Sequence, residues 1–180
     1  WWWFDEGNGE KTVDSMSGEF GIILGSTSWS VDSSYGSSLS FKNVGDYASL
    51  KTPITDWNSS SYSLGFWFNR NEESFSWSSE QISNVMLSLG NEQNSSLQIG
   101  TNGSSIEVFL NTFGKRTRAS LPASVRDNTW HYLTLTYDST DSNELSFYLD
   151  GSLIGRSSVF SGGIDFGPTE KWLVGLAELS

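Results

Sequence analysis

Cysteine is absent from this sequence. That excludes a small domain held by a disulfide framework and any metal centre built on thiolates, although it does not argue against life outside the cell. Histidine is nearly as scarce: His131 stands alone, so a zinc site or a catalytic triad around it has no partners to draw on. It reads instead as a hydrogen-bonded histidine at a strand entry. Positive charge is also in short supply, with 10 Lys and Arg against 21 Asp and Glu, a net charge of -11 and a pI near 4.3. Such a surface repels phosphate backbones and anionic headgroups and suits cations, which excludes nucleic acid as a partner. No apolar run approaches the ~20 residues that span a bilayer, so direct membrane insertion is excluded as well. No basic-then-apolar leader opens the chain, which starts on Trp1 and reads as a mature or excised piece. Finally, no dozen residues carry apolar spacing of three and four, and only a turn near "LPASVRD" looks helical.

What the chain does have is aromatic area and turn formers. Nine Trp, 11 Phe and 6 Tyr supply large apolar surfaces, so few residues need carry the burial, and 18 Gly with abundant Ser and Asn supply turns. Period-two alternation runs from end to end. In "SYSLGFWFNR", Tyr62, Leu64, Phe66 and Phe68 share one face; "NVMLSLG", "SIEVFLN", "WHYLTLTYD" and "ELSFYLD" repeat the pattern. Weaker strands are predicted at 20–26, 38–43, 47–52, 96–101 and 152–157. Asp150-Gly151 accepts the positive φ angles of a tight hairpin, so 144–149 and 152–158 are expected to pair. One apolar face per strand predicts two packed antiparallel sheets, an all-β sandwich, as a single domain over 1–180 with no repeat or linker.

Three segments in order resemble one family. "WWWFDEGNGEKTVDSMSGEFGIILG" is similar to the tryptophan, acidic, glycine-rich start of laminin G-like modules of the concanavalin A-like lectin/glucanase superfamily. "GSSLSFKNVGDYASL" resembles that family's Gly-Asp-Tyr strand pair. "DNTWHYLTLTYD" followed by "LSFYLDGSLIG" resembles its Trp-His strand leading into an Asp-Gly hairpin. The resemblance implies a concanavalin A-like jelly roll. It departs at the end, where the chain stops at "WLVGLAELS" as a closing strand begins; this reads as part of a larger protein in which a further segment, a neighbouring domain or an identical subunit completes the sheet.

Glucanases share this sandwich, but they need two carboxylates about 5 to 5.5 Å apart. Glu107 is the one acid in mid-strand and has no carboxylate two or four positions away, so no catalytic residue is assigned. The resemblance also implies a rim or structural Ca²⁺, which takes carboxylate and carbonyl oxygens from loops. Asp46 and Gly45 of "NVGDY" are the candidate ligands, joined by Asp5 and Glu178 if the termini pair.

For a bound ligand the informative aromatics are those off the core face. Trp67, Phe109, Tyr132 and Tyr148 all alternate out of phase with the buried positions of their strands, and neighbouring strands can assemble them into one platform for sugar rings. A loop covering Trp67 is the plainer alternative. The stretch 71–84 adds Phe75 and Trp77 between acids, with Trp57 of "TDWNSSS" expected to lie near it in the fold, as a glycan site or a protein interface. The expectation is a non-catalytic recognition module for carbohydrate in a secreted or cell-surface protein. The alternatives are an adhesive module that assembles with an extracellular protein, a neighbouring domain or an identical subunit, and, third, a glycosidase.

Overall fold

The computed structural model describes residues 1–32, 34–43, 45–51, 61–70, 84–90, 95–102, 105–112, 115–125, 127–138, 144–157 and 172–175. In chain order its strands are β1 (Lys11–Val13), β2 (Phe20–Leu24), β3 (Ser28–Asp32), β4 (Gly36–Ser40), β5 (Tyr47–Leu50), β6 (Ser61–Asn69) and β7 (Asn84–Gly90). They continue with β8 (Ser95–Asn102), β9 (Ser105–Thr112), β10 (Lys115–Pro122), β11 (Trp130–Asp138), β12 (Glu144–Leu149), β13 (Ser152–Ser157) and β14 (Trp172–Gly175). No helix among these residues is long and apolar enough to cross a membrane.

The alternation seen in the sequence sets the register. β11 turns His131, Leu133, Leu135 and Tyr137 inward and its even-numbered residues outward. On one side it meets β6 with Leu133 opposite Phe66 and Leu135 opposite Leu64; on the other it meets β12 with Leu135 opposite Phe147. With β13 these form a four-stranded sheet in the order β13-β12-β11-β6. Facing it is an eight-stranded sheet in the order β1-β2-β5-β14-β7-β8-β9-β10, while β3 and β4 pair separately. Leu89, Leu97, Ile99, Ile106 and Val108 of the larger sheet are wholly buried in one cluster with Leu133, Leu135, Leu145 and Phe147 of the smaller. Each such side chain contributes roughly 1.5–3 kcal/mol on leaving water, so this shared layer is what joins the sheets. The fold is an all-β antiparallel sandwich.

The expected hairpin is present: Asp150 (φ 51°) and Gly151 (φ 80°) both take the left-handed conformation of a two-residue turn, and β12 pairs with β13 across it. "LPASVRD" departs from expectation. Leu121 pairs with Ile106 at the end of β10, and residues 123–125 are irregular rather than helical. Leu121 and Val125 are both buried, and their spacing of four is what imitates a helix. The segment expected at 38–43 begins earlier, as β4, because its partner is β3. β14, read from sequence as the start of a closing strand, lies inside the larger sheet, paired with β5 on one side and β7 on the other.

Candidate ligand-binding face

The outer face of the four-stranded sheet is built by the residues that the core leaves over. Trp67 of β6 sits directly opposite Tyr132 of β11, and their rings are 5.1 Å apart at 42°. Trp130, two residues before Tyr132, shares its face. Gly65 makes room for this arrangement. A Cβ there would lie 2.4 Å from the Tyr132 hydroxyl and 2.9 Å from its Cζ, so only a residue without a side chain lets the phenol ring lie across β6. The β3–β4 hairpin adds a fourth ring at its tip: Tyr35 lies 6.3 Å from Trp67 and 5.9 Å from Trp130. Trp67 remains 58% exposed and Tyr35 62%, so no loop among the described residues buries either one. Large apolar surface left in water beside like rings is the feature that marks a recognition site.

The sequence candidates separate. Trp67 and Tyr132 come together, and Tyr148 shares their face one strand on, opposite Thr134 and next to exposed Leu153. Phe109 does not join them. It points out of the other sheet, with Arg118 opposite it on β10 and the guanidinium 5.4 Å from its ring centre. The expectation that all four share one platform therefore needs correction: alternation shows that a residue leaves the core, not through which sheet. Trp57, Phe75 and Trp77 lie outside the described residues, as does Glu178. Two members of the cluster escaped the sequence reading. Trp130 was legible, having the phase of Tyr132; Tyr35 was not, because a hairpin folded over a sheet leaves no periodic signal.

Asp46 is buried and Gly45 (φ 90°) turns the chain into it. Its Oδ1 accepts the N–H of Ser26 at 2.6 Å, and its Oδ2 accepts the N–H groups of Lys42 (3.0 Å) and Asn43 (2.8 Å) and the Asn43 side-chain amide (3.2 Å). Burial alone would raise its pKa, but these N–H groups outweigh it and hold the carboxyl below its ordinary range. A cradle of converging N–H donors fits an anion, and Asp46 is that anion; it does not fit a calcium ion, which needs oxygens in those places. Asp5 is exposed, while its neighbour Glu6 accepts the Thr12 hydroxyl and the Val13 N–H. Among the described residues no three His, Cys, Asp or Glu groups gather to hold a metal.

Glu107 is likewise committed. It is 1% exposed and accepts hydrogen bonds from Ser105 and Ser120 hydroxyls on Oε1 and from Arg118 Nε on Oε2, each at 2.7 Å. Burial pushes its pKa up, yet Arg118 and the two serines pull it lower overall, the opposite of what a general acid for glycoside cleavage requires.

An antiparallel two-sheet sandwich with an aromatic outer face is a lectin-like module by architecture. The chain belongs to the concanavalin A-like lectin/glucanases superfamily, whose family model matches residues 42–178. No curated protein sequence matches it. Among solved structures it is similar to the binding domain of Paraclostridial Mosquitocidal Protein 1, at 13% identity and TM-score 0.71 over 93% of this chain and 42% of that one. It is also similar to the receptor binding domain of the botulinum neurotoxin C/D mosaic serotype, at 15% identity and TM-score 0.66 over 97% of this chain and 47% of that one. The chain thus spans less than half the length of either.

Proposed function

We propose that residues 1–180 form one non-catalytic recognition module of a secreted or cell-surface protein, binding neutral carbohydrate on the outer face of the four-stranded sheet. One observation carries this: Trp67, more than half exposed, is flanked by Tyr132 and Tyr35 with all three rings on that face. Pyranose rings offer apolar C–H faces that stack on such rings. Neighbouring rings are tilted by 42–45°, so together they suit a single twisted chain better than a flat crystalline surface. The half-exposed carboxylates of Asp127 and Asp150 flank the same strand and disfavour acidic sugars. The fold's likeness to domains described as binding and receptor binding supports recognition over catalysis.

The test is a glycan array, with and without a chelator, run on the chain and on Trp67→Ala. A neutral glycan bound by the chain is expected to bind the variant at least about tenfold more weakly, with the melting temperature unchanged. Undiminished binding by the variant would remove the platform from the site. An assembly role is favoured by a different feature, the exposed stripe of Val13, Phe20, Ile22 and Leu24 on the outer face of the other sheet. The same variant separates the two readings, since Trp67 lies on the opposite side of the sandwich.

A further inference from the structure

His131 sits between Trp130 and Tyr132 on β11, and where those two turn outward its ring turns in, 5.8 Å from Phe68. Its Nδ1 is 2.7 Å from Asp150 Oδ2, and its Nε2 is 3.1 Å from Asp127 Oδ1 and 3.2 Å from Thr129 Oγ1. Asp150 in turn accepts the Tyr132 N–H on Oδ1 at 2.8 Å, and its own N–H donates to the Tyr132 carbonyl at 2.9 Å. Asp127 accepts both the N–H and the hydroxyl of Thr129. One imidazole therefore ties the approach to β11 to the β12–β13 turn, across the residues that carry two of the four rings.

The number of ties depends on protonation. An imidazolium donates from both nitrogens, whereas the neutral ring donates from one and presents a lone pair to the other carboxylate. Of the elements packed on His131, the loop before β11 brings Asp127 and the hairpin turn brings Asp150; β6 brings Phe68, which is uncharged. We propose that His131 is a pH-sensitive positioning residue for the aromatic face: protonated, it fixes the Trp130–Tyr132 stretch through Asp127 and Asp150 together, and deprotonation frees one tie and weakens ligand stacking. The ligand half of this rests on the carbohydrate reading of that face.

The sign follows from the surroundings. Burial pushes the imidazole pKa down, but the bonds and charges of Asp150 and Asp127 outweigh it, leaving the folded value above the ordinary 6.5. The stabilisation is therefore complete below about 6.5 and is lost as pH rises through the folded value. Thr129 first, and His131 after it, hold Asp127 down to about 2, and Asp150 is also lowered, so both carboxylates stay charged through that window.

Because the chain has one histidine, a proton and nitrogen NMR titration reads it without ambiguity. The imidazole midpoint is expected above that of free histidine, with the Tyr132 amide and Trp130 indole signals moving at the same midpoint. Asp127→Asn, a change in an exposed loop, should bring the midpoint back toward the ordinary value and shrink the Tyr132 step; His131→Gln should abolish the step. A linear neutral β-glucan oligosaccharide is expected to bind about tenfold more weakly above the midpoint than below it, the size of one charge-assisted hydrogen bond. A Tyr132 amide indifferent to the imidazole titration, or a step that survives His131→Gln, overturns the proposal. If the oligosaccharide binds at no pH while Tyr132 still follows His131, the carbohydrate reading falls and the positioning role stands.

Discussion

The two outer faces of this sandwich use similar residues to opposite ends. On the four-stranded sheet, Trp67 and Tyr132 face each other across β6 and β11 with Tyr35 beside them, and Trp67 and Tyr35 keep more than half of their area in water. On the eight-stranded sheet, Phe109 faces Arg118, and the next outward residue of β9, Glu107, is almost wholly buried by partners of its own. The aromatic face has spare capacity; the β9–β10 end of the other face has spent it, although an apolar stripe stays exposed at its β1–β2 end. A side chain whose polar atoms are all matched within the protein stabilises the fold, whereas apolar area left in water is available to a ligand.

Glu107 offers the largest effect with which to break that contrast. Replacing it with Ala leaves the Ser120 hydroxyl and the Arg118 Nε without this acceptor, while Ser105 keeps the Asn102 carbonyl at 2.7 Å, and opens a void beneath them. The expected loss is about 3 kcal/mol, roughly 10 °C in melting temperature. Since its folded pKa lies below the ordinary 4.5, its share of stability is present above that value and falls away as pH drops through the folded one. The difference in melting temperature between the chain and Glu107→Ala should therefore narrow in acid. A variant as stable as the parent would mean that this face is no more committed than the other.

How far the sequence reveals this contrast depends on what each feature leaves in the chain. β6, β7, β9, β11 and β12 were legible because each alternates a run of apolar residues onto one face, and the Asp150-Gly151 turn because few dipeptides accept two positive φ angles. β1, β3 and β10 were not: β10 reads "KRTRASLP", with apolar inward residues only at Ala119 and Leu121 among those whose burial is described. Asp46 shows the same limit for chemistry. A loop Asp beside Gly looks alike whether cations or backbone N–H groups surround it, and that depends on Ser26, 20 residues away. A hydrogen-bonded histidine at a strand entry was legible at His131, but its partners Asp127 and Asp150 were not, the second lying 19 residues away.

Gly65 gives a smaller effect that sharpens the other side of the comparison. Its substitution by Ala pushes the new methyl into the Tyr132 hydroxyl, the far end of a side chain that can swing away, so the stability cost should be about 1 kcal/mol. The ring cannot swing and also keep its place beside Trp67. Glycan affinity is therefore expected to fall by about fivefold although no ring has been removed, measured by titration calorimetry at one pH. Affinity equal to the parent's would show that Tyr132 does not need its observed pose.

The smallest effect is expected at Phe109, and it is the one that tells the faces apart. Phe109→Ala removes a ring of about the size of those on the platform, from the same outward phase of a neighbouring pattern. What it touches is the Arg118 guanidinium, so the loss is a cation–π contact worth about 0.5–1 kcal/mol and a modest burial. Arg118 keeps its bond to Glu107, and the sheet's register does not depend on the ring. Glycan affinity should be unchanged within error. A drop matching that of Trp67→Ala would place ligand on both faces and remove the distinction between a spent surface and a free one.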